Sequence, residues 1–164
     1  MVFILGVLIG SLVAVGSDVA KEPDPSMIDR LVERVNTYTR LDQERKYADS
    51  YEMLATQWRE GPEDKKEWVN AGRKMDNGLK ILDWRIKEIR LCGNLARVVL
   101  ALKGKARMGI FKWREIVEKQ NDYWLLEDKD WFFVPAKPPD WDETKSIEVP
   151  VPGDSGMRLN VITR

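Results

Sequence analysis

The chain has 164 residues, 43% of them hydrophobic and 33% charged, with 27 basic and 27 acidic side chains in balance. That is the composition of one globular domain with appendages, and it carries no net field that would gather nucleic acid or an anionic membrane. Histidine is absent and Cys92 is the only cysteine, which removes intramolecular disulfides, Cys/His zinc sites, Ser-His-Asp triads and histidine acid–base catalysis.

No Asp-x-Asp-x-Asp-Gly loop or helical carboxylate pattern points to an all-carboxylate metal site, so neither metal nor cofactor is expected. Charge is uneven along the chain. Residues 80–119 hold eleven basic and four acidic side chains, and residues 120–156 hold three and nine. Such runs read as solvated faces, or as an acidic C-terminal part packed near basic strands.

Residues 2–17 are uncharged and dominated by Val, Ile, Leu and small residues. As a helix they would span about 24 Å against a hydrocarbon thickness of about 30 Å. Residues 1–20 therefore read as a signal peptide, with Ala14, Gly16, Ser17 and Ala20 as cleavage positions, or as a retained membrane anchor. Both place the body outside the cytoplasm, in the periplasm or beyond. Residues 21–25 form a proline-broken linker.

Ser26 and Asp29 have capping-box spacing, and Ile28, Leu31, Val32, Val35 and Tyr38 then form one apolar helical stripe. The stripe fails over residues 42–46 and resumes with Tyr47, Tyr51, Leu54, Ala55 and Trp58, predicting a second helix. Gly61-Pro62 stops it and opens a third, which Asn77-Gly78 closes. Trp68, Val69 and Met75 are expected to face inward.

From Leu79 the period changes to two, with Leu82, Trp84 and Ile86 alternating with charged residues. The phase then slips so that Ile89 and Leu91 continue the apolar series, which predicts a bulge. Gly93-Asn94 turns the chain into the apolar run 95–102, the expected central strand. A turn at 103–105, a strand over 108–119 carrying Phe111, Trp113, Glu115 and Val117 on one face, a turn at Asn121-Asp122 and a hairpin over 123–134 complete an antiparallel sheet. Prolines 135, 138, 139, 150 and 152 mark residues 135–164 as an extended tail.

Three helices before a strongly curved antiparallel sheet, an α+β domain over residues 26–134, resemble the nuclear-transport-factor-2-like superfamily. Its cone-shaped fold is shared with SnoaL-type cyclases and ketosteroid isomerases. The passage Lys46-Tyr47-Ala48-Asp49-Ser50-Tyr51-Glu52-Met53-Leu54, then Trp58, Trp68 and Gly78 before a Trp-containing strand, looks like its small extracytoplasmic members. Asp122-Tyr123-Trp124 and Asp130-Trp131-Phe132 look like its closing hairpin. The resemblance implies a fold and no catalytic motif.

Within such a cone, Tyr38, Tyr51, Trp84 and Trp113 are the ligand-pocket candidates, with Tyr47 a further donor. Glu115, in an apolar row, is the candidate for general acid–base work. Trp141 in the tail is a candidate for a partner or an intramolecular contact, and Leu95 and Val99 of the central strand are candidates for contact with a partner. The resulting expectation is a non-catalytic bacterial binding or assembly domain, a homodimer or an accessory subunit of a membrane-associated complex. The alternative is a small-molecule-binding or proton-transfer enzyme using the cone, with Glu115 as base and Tyr38 or Tyr51 as donor.

Overall fold

The computed structural model describes residues 24–59, 61–108 and 112–153. The apolar N-terminal segment, Phe111 and the end of the tail lie outside the described residues. Among those described, no helix is long and apolar enough to cross a membrane.

Helix α1 (Pro25–Gln43) begins two residues earlier than its capping box predicts. Pro25 fits the first turn, and the Asp24 carboxylate accepts from the Ser26 N–H at 3.0 Å, so Asp24 and not Ser26 is the cap. At the other end Arg45 adopts φ 62°, and the Lys46 N–H reaches back to the Leu41 carbonyl at 2.8 Å. That left-handed closure turns the chain into α2 (Tyr47–Tyr51). The second helix ends well before Trp58, because the chain leaves it to pair with the sheet. The Ala55 N–H donates to the Phe133 carbonyl at 2.9 Å, and the Phe133 N–H donates to the Met53 carbonyl at 2.8 Å. A 3-10 turn (Thr56–Trp58) follows, then α3 (Pro62–Asp76).

The sheet has five antiparallel-paired strands in the order β4-β3-β2-β1-β5. They are β1 (Leu79–Cys92), β2 (Leu95–Met108), β3 (Lys112–Glu127), β4 (Asp130–Val134) and β5 (Ile147–Val149). The predicted slip in β1 is present as an extra residue at Lys87, and a second occurs at Leu82. The turn expected at 103–105 is instead strand. Gly104 lies so close to β1 that a Cβ there would sit 2.7 Å from the Lys80 carbonyl oxygen, so this glycine permits a close backbone approach. The turn expected at Asn121-Asp122 is also strand, paired with Val99 and Val98.

Helix α1 lies on one face of the sheet. Leu31, Val35, Trp84, Ile89, Val98, Leu100 and Trp124 form the fully buried centre between them. Polar ends of large side chains fix the docking. Trp84 donates to Asn36 at 2.9 Å, Trp131 donates to the Met27 carbonyl at 2.9 Å, and Arg34 donates to the Trp131 carbonyl at 2.9 Å. Tyr38 stacks on Phe133 with centroids 4.3 Å apart and meets Trp124 edge-on.

Three side chains that the sequence pattern sets on apolar faces are exposed: Trp58 at 41%, Trp113 at 40% and Met75 at 63%. Trp58 leaves the helical face when α2 breaks. Trp113 sits where the β2–β3 hairpin is largely exposed on both faces. Helix α3 packs chiefly on α2, and none of its described side chains is fully buried.

The chain after β4 crosses the face of the sheet opposite the helices. Arg90, Arg97 and Tyr123 form a row across β1, β2 and β3. Trp141 packs edge-on against Tyr123 at 5.7 Å. Glu143 pairs with Arg97 at 2.9 Å and Arg90 at 3.6 Å. The Ser146 carbonyl accepts from Arg90 at 3.3 Å, and the strap ends as β5 beside β1.

Candidate functional site

A cavity of about 480 Å3 opens between the C-terminal end of α1, the start of α2, the inner face of α3 and the beginning of β1. Its existence follows from α3. The helix packs on α2 and only lightly on β1, so the first turns of β1 are roofed without being filled. Tyr38, Trp68, Leu79, Ile81, Leu82 and Phe133 supply apolar wall. A second hollow of similar volume lies against it, sharing Trp68, Ala71 and Pro135, and is lined by Tyr51, Asp64 and Glu67 among others.

Most polar groups of the first cavity come from helix ends. Tyr47, at the start of α2, donates its hydroxyl to Asp76 Oδ1 at 2.6 Å, and Arg45 approaches the other oxygen at 3.5 Å. Burial, then the Asp76 carboxylate that accepts its proton, pushes the Tyr47 hydroxyl pKa up. Gln43 donates to the Leu82 carbonyl at 3.1 Å, satisfying an acceptor at the β1 bulge.

Asp42 lines the cavity from the last turn of α1. Burial pushes its pKa up to about 7, helped by the charges of Asp122 and Asp76, while a hydrogen bond from Ser50 opposes the shift. Ser50 is itself fully buried and shares one hydroxyl proton between Asp42 and the Tyr47 carbonyl. Its oxygen accepts from Trp68 Nε1 at 3.2 Å. Asp122 stands behind the cavity on β3, only 2% exposed. Its Oδ1 accepts from Gln120, a lining residue, at 2.7 Å, and its Oδ2 has no hydrogen-bond partner. Burial raises Asp122 to about 6.

Tyr38 is raised well above its usual value by burial and by Asp42 and Asp122. Its hydroxyl makes no hydrogen bond with any described residue. The site thus combines an aromatic and aliphatic slot with one lining carboxylate raised by burial, Asp42, a second, Asp122, buried behind the wall, and one open phenol. Among the described residues no three carboxylates converge closely enough to hold a metal ion.

Of the candidate residues in the sequence, Tyr38 lines the first cavity and Tyr51 the adjoining hollow, where its hydroxyl donates to the Gly61 carbonyl at 3.2 Å. Trp84 lines neither, being buried under α1 with its N–H on Asn36. Trp113 lies outside both, with the Lys80 ammonium 4.8 Å from its ring centroid. Glu115 is not internal. Its side chain is 63% exposed and pairs with Lys103 at 3.9 Å, because it projects from the uncovered part of the hairpin.

Trp141 makes the intramolecular contact and not an exposed partner contact, since the strap folds it back against Tyr123 and leaves it 5% exposed. Leu95 is buried at 7%, and Val99 is half-buried on the strapped face. Asp42, Asp76 and Asp122 were not singled out. For Asp42 a signal exists, because it follows Val35 and Tyr38 at helical spacing and so sets a carboxylate on the buried stripe.

No family model matches the chain, and no curated protein matches it. Among solved structures, that of a SEC-C motif containing protein from Rhodopseudomonas palustris is similar over 65% of this chain and 77% of that one. The identity is 12% and the TM-score 0.48.

Proposed function

We propose that this chain is a non-catalytic extracytoplasmic binding domain that takes a small molecule into the cavity under α3. The observation that carries the reading is the cavity itself. At about 480 Å3 it falls in the range of roughly 300–1,000 Å3 usual for small-molecule sites, and it has the usual apolar walls with a few converging polar groups. The cone-shaped, strongly curved variant of the fold, with residues 135–164 as a C-terminal appendage, belongs to the same proposal, as does likeness to the nuclear-transport-factor-2-like superfamily. Export or anchoring rests on the uncharged residues 2–17. Assembly with a second copy or with a membrane complex would use surface outside the strap.

The test is a titration of the isotope-labelled full chain with 2-phenylethanol and with phenethylammonium, read at the tryptophan indole N–H resonances. Binding in the cavity moves the Trp68 signal and leaves Trp131 and Trp141 in place. Movement of Trp141 alone, or of none, contradicts the reading.

A second reading, proton transfer, is favoured by one observation: Asp42 and Tyr38 line the same cavity, where burial pushes the Asp42 pKa up to about 7, the range in which a general base works best, with the Tyr38 hydroxyl as donor. It predicts α-deuteration of 4-phenyl-2-butanone in deuterium oxide above the buffer rate, lost in Asp42→Asn. Exchange at the buffer rate contradicts it.

A further inference from the structure

We infer that the ligand of this cavity is a cationic amphiphile, a protonated amine carried on an apolar body. This rests on the cavity being a binding site and names the chemistry that would occupy it. Asp42 and Asp122 are acidic groups without a counterion. Neither forms a salt bridge with any described residue, and one oxygen of Asp122 lacks any hydrogen bond while the side chain is almost wholly buried.

The two basic residues described in the cavity wall already have partners, Arg45 in the neighbouring wall carboxylate Asp76 and Lys80 outside the cavity. Arg45 pairs with Asp76 at 3.5 Å, and Lys80 reaches out over the Trp113 ring. The adjoining hollow has Asp64 and Glu67, both exposed, in its wall and no basic residue among its described lining residues. The nearby lysines of α3 are drawn off, Lys65 to Glu52 at 2.6 Å and Lys66 towards Glu63 at 3.7 Å.

A buried carboxylate without a cation is costly, and it either takes up a proton or recruits a positive charge. An anionic ligand would meet Asp42 at like charge. A neutral apolar one would strip the remaining water from Asp42 without replacing it. A protonated amine supplies the missing charge and hydrogen-bond donors. The rings of Tyr38, Trp68 and Phe133 favour both its apolar body and, at their faces, its charge.

The experiment compares three probes of nearly equal size on the full chain: phenethylammonium, 2-phenylethanol and phenylacetate. Affinities come from calorimetry, and the site is located by the Trp68 indole resonance. The expected order has the ammonium binding at least about tenfold tighter than the alcohol, with the carboxylate weakest. In Asp42→Asn the ammonium and alcohol converge.

The unmutated protein provides a check that does not depend on the variant folding. Asp42 titrates at about 7, so the ammonium preference should shrink at least several-fold between about pH 8 and about pH 5, where Asp42 is protonated. Equal binding of ammonium and alcohol at about pH 8 overturns the inference and leaves cavity binding intact. So does a preference unchanged by both the lower pH and the Asn variant. Absence of any Trp68 response to all three probes overturns both.

Discussion

The hydroxyl of Tyr47 donates to Asp76 at 2.6 Å, joining the first residue of α2 to the last of α3 across the mouth of the cavity. The same ring lies under Gly72, where an added Cβ would stand 2.5 Å from ring carbon Cδ1. One aromatic side chain therefore sets both the distance of α3 from α2 and the height of the cavity roof.

Removing the hydroxyl in Tyr47→Phe should cost about 1 kcal/mol by denaturant unfolding and speed amide exchange in α3 more than in the sheet. Gly72→Ala should cost more, because the ring must move or α3 must lift. A Gly72→Ala variant as stable as the parent would show that α3 is not seated on Tyr47.

Asp122, almost wholly buried, and Asp42, partly buried, should make stability fall as pH rises. Their folded pKa values, about 7 for Asp42 and about 6 for Asp122, lie above the ordinary 3.8. Between about pH 4 and pH 7 the unfolded chain releases protons that the folded chain keeps. Each group then removes at most about 1.4 kcal/mol of stability per pH unit, and less for partly buried Asp42. Below that window their contribution is at its most favourable, and above it the loss is complete. Asp42→Asn should flatten the slope and gain stability at about pH 8. Chemical denaturation at several pH values reads both, and a slope of the opposite sign in the parent that is unchanged by the substitution would contradict the assignment.

The strap should be separable from the rest of the fold. Trp141 is the main apolar side chain holding residues 135–146 to the outer face, and Trp141→Ala should cost on the order of 3 kcal/mol. Amide exchange in β5 should rise ahead of exchange in β2. Acid should act in the same direction. The Trp141 indole N–H, with Arg97 and Arg90, holds the Glu143 carboxyl below its ordinary value. Its contribution is present above that ordinary value and is lost as pH falls through the folded one. Exchange in β5 that follows β2 under both perturbations would show the strap to be one unit with the core.

Gly104→Ala should destabilise by roughly 1–3 kcal/mol, since the strand must part from the Lys80 carbonyl oxygen at 2.7 Å from the new Cβ. A neutral substitution would mean that β1 and β2 are already further apart than their register places them.

That glycine also marks where the sequence is hard to read. Flanked by lysines, Gly104 has the look of a turn, yet it continues β2. The reason is a non-local approach of β1 that no local pattern encodes. Asn121-Asp122 misleads in the same way, because Asp122 takes its place in β3 opposite Val98. What depends on local periodicity is legible: the α1 stripe, the Lys87 bulge and the apolar alternation of Trp84 and Ile86 in β1. The early end of α2 is not, since it is decided by the backbone pairing of Met53 and Ala55 with Phe133. The site is half legible. Tyr38 and Tyr51 follow from the helical stripe, whereas the importance of Asp42 depends on Asp122 standing behind it on a distant strand.

The most direct measurement is a crystal structure of the full chain grown with phenethylammonium. The account predicts density between Tyr38, Trp68 and Phe133, with the ammonium nitrogen within hydrogen-bond distance, about 3 Å, of the Asp42 carboxylate. An empty cavity at saturating concentration, or the amine bound only at the outer face, would contradict it.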